Sequence, residues 1–288
     1  MPPELLARFR KLIKRPHGMI LVTGPTGSGK TTTLYGALTE LNKPEVKIIT
    51  AEDPVEYRLP RITQVQVNPK IGLEFASVLR SALRQDPDII LVGEMRDHET
   101  VEIGLRAAMT GHLVLSTLHT NDSISSAMRL IDMGAEPFLV ASSLLGVVAQ
   151  RLVRRVCDNC KETYEPTEQE LIWLRSFDLD PLDIEAGFVH GRGCYQCSNT
   201  GYRGRVGVYE MLEMNEEMLD ALRRKDVSDF TRAARKSPLF RPLGQCAMDY
   251  ALQGVTSLQE VSRVAATAEV GVDLEVDDLG RDAIGVDD

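Results

Sequence analysis

Gly24-Pro25-Thr26-Gly27-Ser28-Gly29-Lys30-Thr31 constrains this chain more than any other stretch. It satisfies the phosphate-loop template G-x-x-x-x-G-K-[ST] at every required position. The apolar, β-prone run Met19-Ile20-Leu21-Val22 precedes it. After it, Leu34, Leu38 and Leu41 recur at helical spacing. A strand, a glycine loop and a helix N-terminus expose consecutive backbone N–H groups to a polyphosphate. In that geometry Lys30 reaches the β- and γ-phosphates of a nucleoside triphosphate, the Thr31 hydroxyl ligates Mg²⁺, and Thr32 continues the phosphate cradle. An ordinary glycine turn between strand and helix is the plainer alternative; the matching flanks speak against it.

From Met19 to about Arg155, β-like and helical runs alternate, which predicts an α/β fold with a largely parallel sheet. Strands are expected at Met19–Thr23, Lys47–Thr50, Thr63–Val67, Asp88–Val92 and Leu113–Thr117. Helices are expected at Thr31–Asn42, Phe75–Arg84, Glu99–Met109, Ser123–Met133 and Phe138–Arg151. The expected units are a basic linker helix over 1–18, a nucleotide-binding core over 19–155, a cysteine lobe over 156–207, a helical subdomain over 208–267 and an acidic disordered tail over 268–288. The last helix opens on a capping-box pattern, Ser257-x-x-Glu260.

A phosphate loop needs an acid for magnesium and water. Asp88-Ile89-Ile90-Leu91-Val92-Gly93-Glu94 is an apolar strand that ends in a carboxylate, and its end is expected beside the phosphate loop. Glu94 is placed to orient a magnesium-bound water, or more simply to cap the next helix. Glu52, Asp53 and Glu56 crowd one extended turn, because Pro54 disfavours helix at Asp53. Like charges so close call for a cation or a basic group. Glu52 suits a general base, and a solvated acidic turn is the alternative. His112 and His119 flank the run Leu113–Leu118 and suit either γ-phosphate sensing or a structural role.

Cys157-x-x-Cys160 and Cys194-x-x-Cys197 are two paired knuckles separated by 33 residues. That pattern predicts a closed tetrahedral Zn²⁺ site rather than disulfides. Cys246 has no partner at this spacing and reads as a small buried hydrophobe.

Charge restricts the partners. Eight acids stand against one arginine from Thr267 to Asp288, so most of the net charge of -9 is local and the remaining chain is close to neutral. A general nucleic-acid binder is therefore not expected, since such proteins neutralise phosphates with a basic surface. No apolar run approaches the ~18 residues of a membrane span, and Met1-Pro2-Pro3-Glu4 opens no secretory signal. A cytoplasmic protein is expected.

In order, the chain carries the phosphate loop, Glu52-Asp53-Pro54-Val55-Glu56-Tyr57, Leu83-Arg84-Gln85-Asp86-Pro87-Asp88 running into Val92-Gly93-Glu94-Met95-Arg96-Asp97, and Thr110-Gly111-His112. Ser116-Thr117-Leu118-His119-Thr120-Asn121 and Gln150-Arg151-Leu152-Val153-Arg154 follow. This series resembles the secretion ATPase superfamily of type II secretion and type IV pilus assembly motors, from about Leu12 to Thr267. The resemblance implies a RecA-like phosphate-loop core with a small tetracysteine zinc lobe and a C-terminal helical subdomain. It makes Glu94 the Walker B carboxylate, Glu52 and Glu56 catalytic Asp-box acids, and His119 a His-box residue. A tetracysteine lobe implies an assembly motor rather than a retraction motor.

The resemblance further implies ATP hydrolysis in a hexameric ring, peripheral to the inner membrane and working on its platform proteins. A nucleotide- and zinc-shaped docking module and a DNA-uptake or conjugation relative are the alternatives. Family motors also carry an N-terminal half that closes over the nucleotide and contributes arginines. The sequence starts just ahead of the phosphate loop, so slow turnover is expected of it alone.

Overall fold

Strand β1 (Gly18–Thr23) is buried along its whole length and feeds the phosphate loop directly. The computed structural model describes residues 1–177, 179 and 187–269, so the acidic tail beyond Glu269 lies outside the described residues. Around β1 lie β2 (Ile48–Glu52), β3 (Thr63–Gln66), β4 (Ile89–Val92), β5 (Leu113–Leu118), β6 (Leu144–Val156) and a later strand (Tyr202–Glu213). Between β6 and that later strand, which becomes β9 in chain order, come β7 (Lys161–Tyr164) and β8 (Phe188–Gly191). The main sheet runs β3-β2-β4-β5-β1-β6-β9, parallel except for β9, which pairs antiparallel with β6.

Both faces of the sheet are covered, as continuous apolar strands require. Side chains alternate along β1. Ile20 and Val22 face a core shared with α1 (Pro3–Ile13) and α2 (Lys30–Leu41). Met19 and Leu21 face the opposite core, with α3 (Phe75–Leu83), α4 (His98–Met109), α5 (Ser123–Asp132) and α6 (Pro137–Ser143). That second core continues into α8 (Glu216–Arg224) and α9 (Val227–Lys236), which follow the short α7 (Glu168–Leu174) in the chain. A third core joins the far ends of β6 and β9 to α10 (Leu243–Leu252) and α11 (Leu258–Glu269).

The structure departs from the sequence expectation at three places. The helix expected over Phe138–Arg151 stops at Ser143, and the rest becomes β6. Leu144-Leu145-Gly146-Val147-Val148-Ala149 is apolar throughout, so its pattern cannot separate helix from a strand covered on both faces. The open edge of β1 decides for strand. At Gly146 a Cβ would lie 2.8 Å from the Leu212 carbonyl, so only glycine lets β6 and β9 close at that point. Second, β9 begins at Tyr202 and takes in Gly204 and Gly207, so it runs through the expected 207/208 boundary. Third, the Ser257/Glu260 pair is spent elsewhere. Ser257 meets the Tyr202 hydroxyl at 2.7 Å, while Glu260 accepts from Arg154 N at 2.7 Å and Nε at 3.0 Å.

Candidate nucleotide-binding site and metal centre

Parallel strands place their carboxyl ends along one edge, and the predicted site assembles there. Thr23 closes β1 by bonding Thr120 Oγ1 at 2.6 Å and Leu118 O at 3.1 Å, which locks the loop root to the end of β5. Gly24 then takes φ +146°, and a Cβ there would sit 2.4 Å from the Gln150 carbonyl. Gly29, left-handed at φ 88°, opens α2. The Lys30 ammonium folds back onto Gly24 O at 2.7 Å and Pro25 O at 3.1 Å. Burial lowers the Lys30 pKa; Glu94 opposes that and Arg151 adds to it. Thr26 to Thr32, with Thr31 and Thr32 at the helix start, wall a cavity of about 720 Å³.

Glu52, Glu56, Glu94 and His119 line the same cavity. The end of β4 is not next to the phosphate loop as expected, because β5 lies between β4 and β1. The extra strand leaves Glu94 facing the loop across the cavity rather than against it. Glu94 pairs with Arg96 and with His119 Nε2 at 3.3 Å, and Arg96 also reaches Asp53 at 3.5 Å. The hydrogen bond that Arg96 donates to Glu94 raises the Arg96 pKa.

Glu52 is buried at 3 % exposure. It accepts from the Tyr35 hydroxyl, from Thr50 Oγ1, and from Gln64 Nε2 at 3.1 Å, which fixes its rotamer. Burial, then the bond to Glu52, raises the Tyr35 pKa. Glu56 is exposed on the cavity rim. His112 is not part of the site: it immediately precedes β5 at the opposite edge of the sheet, with Nδ1 3.0 Å from Ala107 O.

Sequence reasoning missed several side chains here. Gln150 Nε2 donates to Ser28 O at 2.7 Å while its Oε1 accepts from Thr33 Oγ1 at 2.6 Å. Arg151 is buried and donates to Asn121 O at 2.6 Å. Arg205 joins the cavity wall from β9. Gln150 and Arg151 stand in a segment that the sequence singles out, but their partners lie far away in the chain, and Arg205 had no local signal.

The four cysteines come together. Cys157 and Cys160 lie between β6 and β7, and Cys194 and Cys197 between β8 and β9. The β6–β9 pairing (Val156 opposite Tyr202) and the β7–β8 pairing (Lys161 opposite Gly191) clamp the two knuckles from both sides. Their sulfurs lie within 4.8 Å of one another, with Cys157–Cys194 at 3.9 Å, Cys160–Cys197 at 3.8 Å and Cys194–Cys197 at 3.7 Å. Four thiolates ~2.3 Å from a tetrahedral metal would be ~3.8 Å apart, so the donor set fits such an ion. The Asn159 amide, 3.3 Å from Cys194 Sγ, holds that thiol down at about 6. Gly201 N donates to Cys197 Sγ at 3.3 Å, the kind of outer bond that orients a thiolate ligand. Cys246 is half-buried, and burial pushes its thiol up to about 12.

The family profile described as "Type II/IV secretion system protein" matches residues 1–263. The chain belongs to that family. This secretion-family chain is 49 % identical to type II secretion system ATPase E of Vibrio cholerae over 260 residues, which are 89 % of the chain and 50 % of that protein. It is 45 % identical to the type IV pilus assembly ATPase PilB of Thermus thermophilus, over 90 % of the chain and 29 % of that protein. The chain thus spans about half the length of the type II relatives it matches. Among solved structures it resembles the pilus retraction motor PilT with bound ADP, at a TM-score of 0.67 and 30 % identity, covering 92 % of the chain and 64 % of PilT. The ATPase DotB of Legionella pneumophila follows, at 0.65 and 25 %, covering 90 % of the chain and 63 % of DotB. Among the described residues of this family member, no helix is long and apolar enough to cross a membrane.

Proposed function

We propose that the chain is the ATP-binding and hydrolysing module of a motor that powers pilus or pseudopilus assembly. One observation carries the reading. Glu94 faces Lys30 across a cavity walled by the phosphate loop, close enough for its charge to oppose the fall in the Lys30 pKa. That is the pairing an ATPase needs between a phosphate-binding cation and a water-orienting acid.

In this reading the backbone N–H groups of Gly27 to Thr31 bind the phosphates, and Lys30 exchanges its loop carbonyls for phosphate oxygens. The Thr31 hydroxyl and Glu94 would hold Mg²⁺. Bound Mg²⁺ supplies Lewis-acid neutralisation of the charge that develops on the phosphates. Glu52, fixed by Tyr35 and Gln64, takes the proton of the attacking water, with Glu56 at the rim as its auxiliary. His119, at hydrogen-bond distance from Glu94, couples loss of the terminal phosphate to the end of β5.

Cys157, Cys160, Cys194 and Cys197 would hold Zn²⁺ as a structural ion, and the lobe would then serve as a rigid contact arm. The working assembly is a homo-oligomeric ring, a hexamer, on the cytoplasmic side of the inner membrane, acting on platform proteins there. The 45 % to 49 % identity to named secretion and pilus-assembly ATPases supports the choice of process.

The test compares Lys30→Ala with Glu94→Gln in Mg-ATP binding and phosphate release. Lys30→Ala is expected to lose nucleotide affinity. Glu94→Gln is expected to keep binding and lose at least about a hundredfold in turnover, the scale of a missing charge-stabilising group. Turnover unchanged in Glu94→Gln overturns the proposal.

A further inference from the structure

A second cavity, of about 400 Å³, opens on the β6 side of the phosphate loop. Its wall holds four arginines: Arg151 and Arg154 from β6, Arg205 from β9 and Arg263 from α11. Arg154 and Arg205 are direct cross-strand partners, a like-charge pair that costs stability unless something offsets it. Glu260 offsets Arg154 at 2.9 Å and also pairs with Arg263 at 2.8 Å. Arg205 has no hydrogen-bonding or ionic side-chain partner among the described residues. Arg151 is 6 % exposed, and its Nε has no hydrogen-bond partner. The wall is thus a cationic concavity in which the exposed Arg205 keeps donors that no described side chain uses, and carboxylates suit guanidinium donors in both charge and shape.

We propose that residues 270–288, the acidic end of the sequence, seat carboxylates in this arginine-lined cavity of their own subunit and hold back nucleotide. Charge is the first argument, since seven acids stand against one arginine in that segment. Reach is the second. Val264 lines the cavity and α11 runs on to Glu269, a rise of about 8 Å. The nineteen residues that follow span up to ~60 Å when extended. So short a tether sets an effective concentration in roughly the millimolar range, enough for weak ionic contacts to be populated. A shared wall is the third. Thr26, Gly27, Ser28, Leu152 and Arg205 line both cavities, so a chain seated in one crowds the loop that serves the other.

The test uses the full chain with all seven acids after Val270 changed to their amides, and a labelled peptide of residues 268–288. The peptide is expected to bind this variant at 50 mM salt and to bind the unaltered protein about threefold or more weakly, because its own tail competes. Binding is expected to weaken with added salt and to vanish with Arg205→Ala, an exposed position whose change leaves the cores intact. A fluorescent ADP analogue is expected to bind the amide variant roughly threefold to tenfold more tightly than the unaltered protein. A peptide that does not bind, or that binds Arg205→Ala equally well, overturns the docking. Equal peptide binding to the amide variant and the unaltered protein overturns its action in cis. Only the analogue arm rests on the nucleotide reading. If the analogue binds neither protein, that reading fails while the peptide arms still decide the docking.

Discussion

Gln150, in the middle of β6, donates its side-chain N–H to the backbone carbonyl of Ser28 at 2.7 Å, across 122 residues of sequence. The same amide accepts from Thr33 one turn into α2. One side chain therefore ties the tip of the phosphate loop and the first turn of its helix to the neighbouring strand, and Gly24 and Gly29 are both closed over by β6 atoms.

Gln150→Ala removes both bonds and leaves the Ser28 carbonyl without that partner. Losing two partly buried hydrogen bonds costs about 1–3 kcal/mol. The expected outcome is a fivefold to hundredfold loss of nucleotide affinity by calorimetric titration, with Glu94 and Lys30 untouched. Unchanged affinity would show that the loop does not need the strand beside it.

Gly24 and Gly27 both take positive φ, but their surroundings differ. A Cβ at Gly24 meets Gln150 O at 2.4 Å and Ser28 Oγ at 2.7 Å, whereas at Gly27 nothing lies within 4 Å. Gly27→Ala is therefore expected to cost only the left-handed backbone penalty, about 1–2 kcal/mol. Gly24→Ala adds a backbone clash and should be clearly worse. Paired urea unfolding curves check the order, and equal midpoints would refute it.

Nucleotide affinity should fall as pH rises through the Lys30 pKa, which burial has lowered from 10.5. The sign follows from the chemistry: only the ammonium neutralises phosphate. Glu94 raises that pKa, so Glu94→Gln should move the alkaline fall in affinity to lower pH. Titrations of a fluorescent nucleotide between pH 7 and 10 read the shift directly, and movement to higher pH would contradict the arrangement.

Glu210 is buried at 2 % exposure and joins three segments, accepting from Ser123 N at 2.7 Å, Ser123 Oγ at 2.5 Å and Leu243 N at 2.9 Å. Burial raises its pKa despite those donors. A carboxyl raised in the folded state contributes most below its unfolded pKa and loses that contribution as pH climbs through the folded one. Glu210→Gln should therefore destabilise more at pH 4.5 than at pH 8, read as the difference between paired denaturant curves. A difference that grows with pH would sink this reading.

One metal ion per chain is expected from the tetracysteine cluster, measured by elemental analysis of purified protein. Cys160→Ser should lose it and lower the unfolding midpoint. With the β7–β8 hairpin resting on these knuckles, the cost is expected at about 2–5 kcal/mol, the scale of a lost structural cross-link. Full metal content in Cys160→Ser, or a midpoint indifferent to chelator, would remove the case for a structural ion.

Much of the site could be read in the linear chain because it is written in local codes. A glycine loop between a buried strand and a helix, an apolar strand ending in Glu94 and a pair of knuckles each carry their chemistry within a few residues. Alternation of β and α runs likewise announced a parallel sheet, since short-range periodicity reports which faces are buried.

Long-range pairing decided the rest. Leu144–Ala149 is apolar on every side, so only the vacant edge of β1 makes it strand rather than helix. The glycines of β9 become strand because β6 is there to receive them. His112 and His119 look equivalent in sequence, yet a strand has two ends, and only the carboxyl end of β5 meets Glu94. Gln150 and Arg151 took on their roles the same way, through hydrogen-bond partners far apart in the chain, and Arg205 reaches the cavity wall only because β9 pairs with β6.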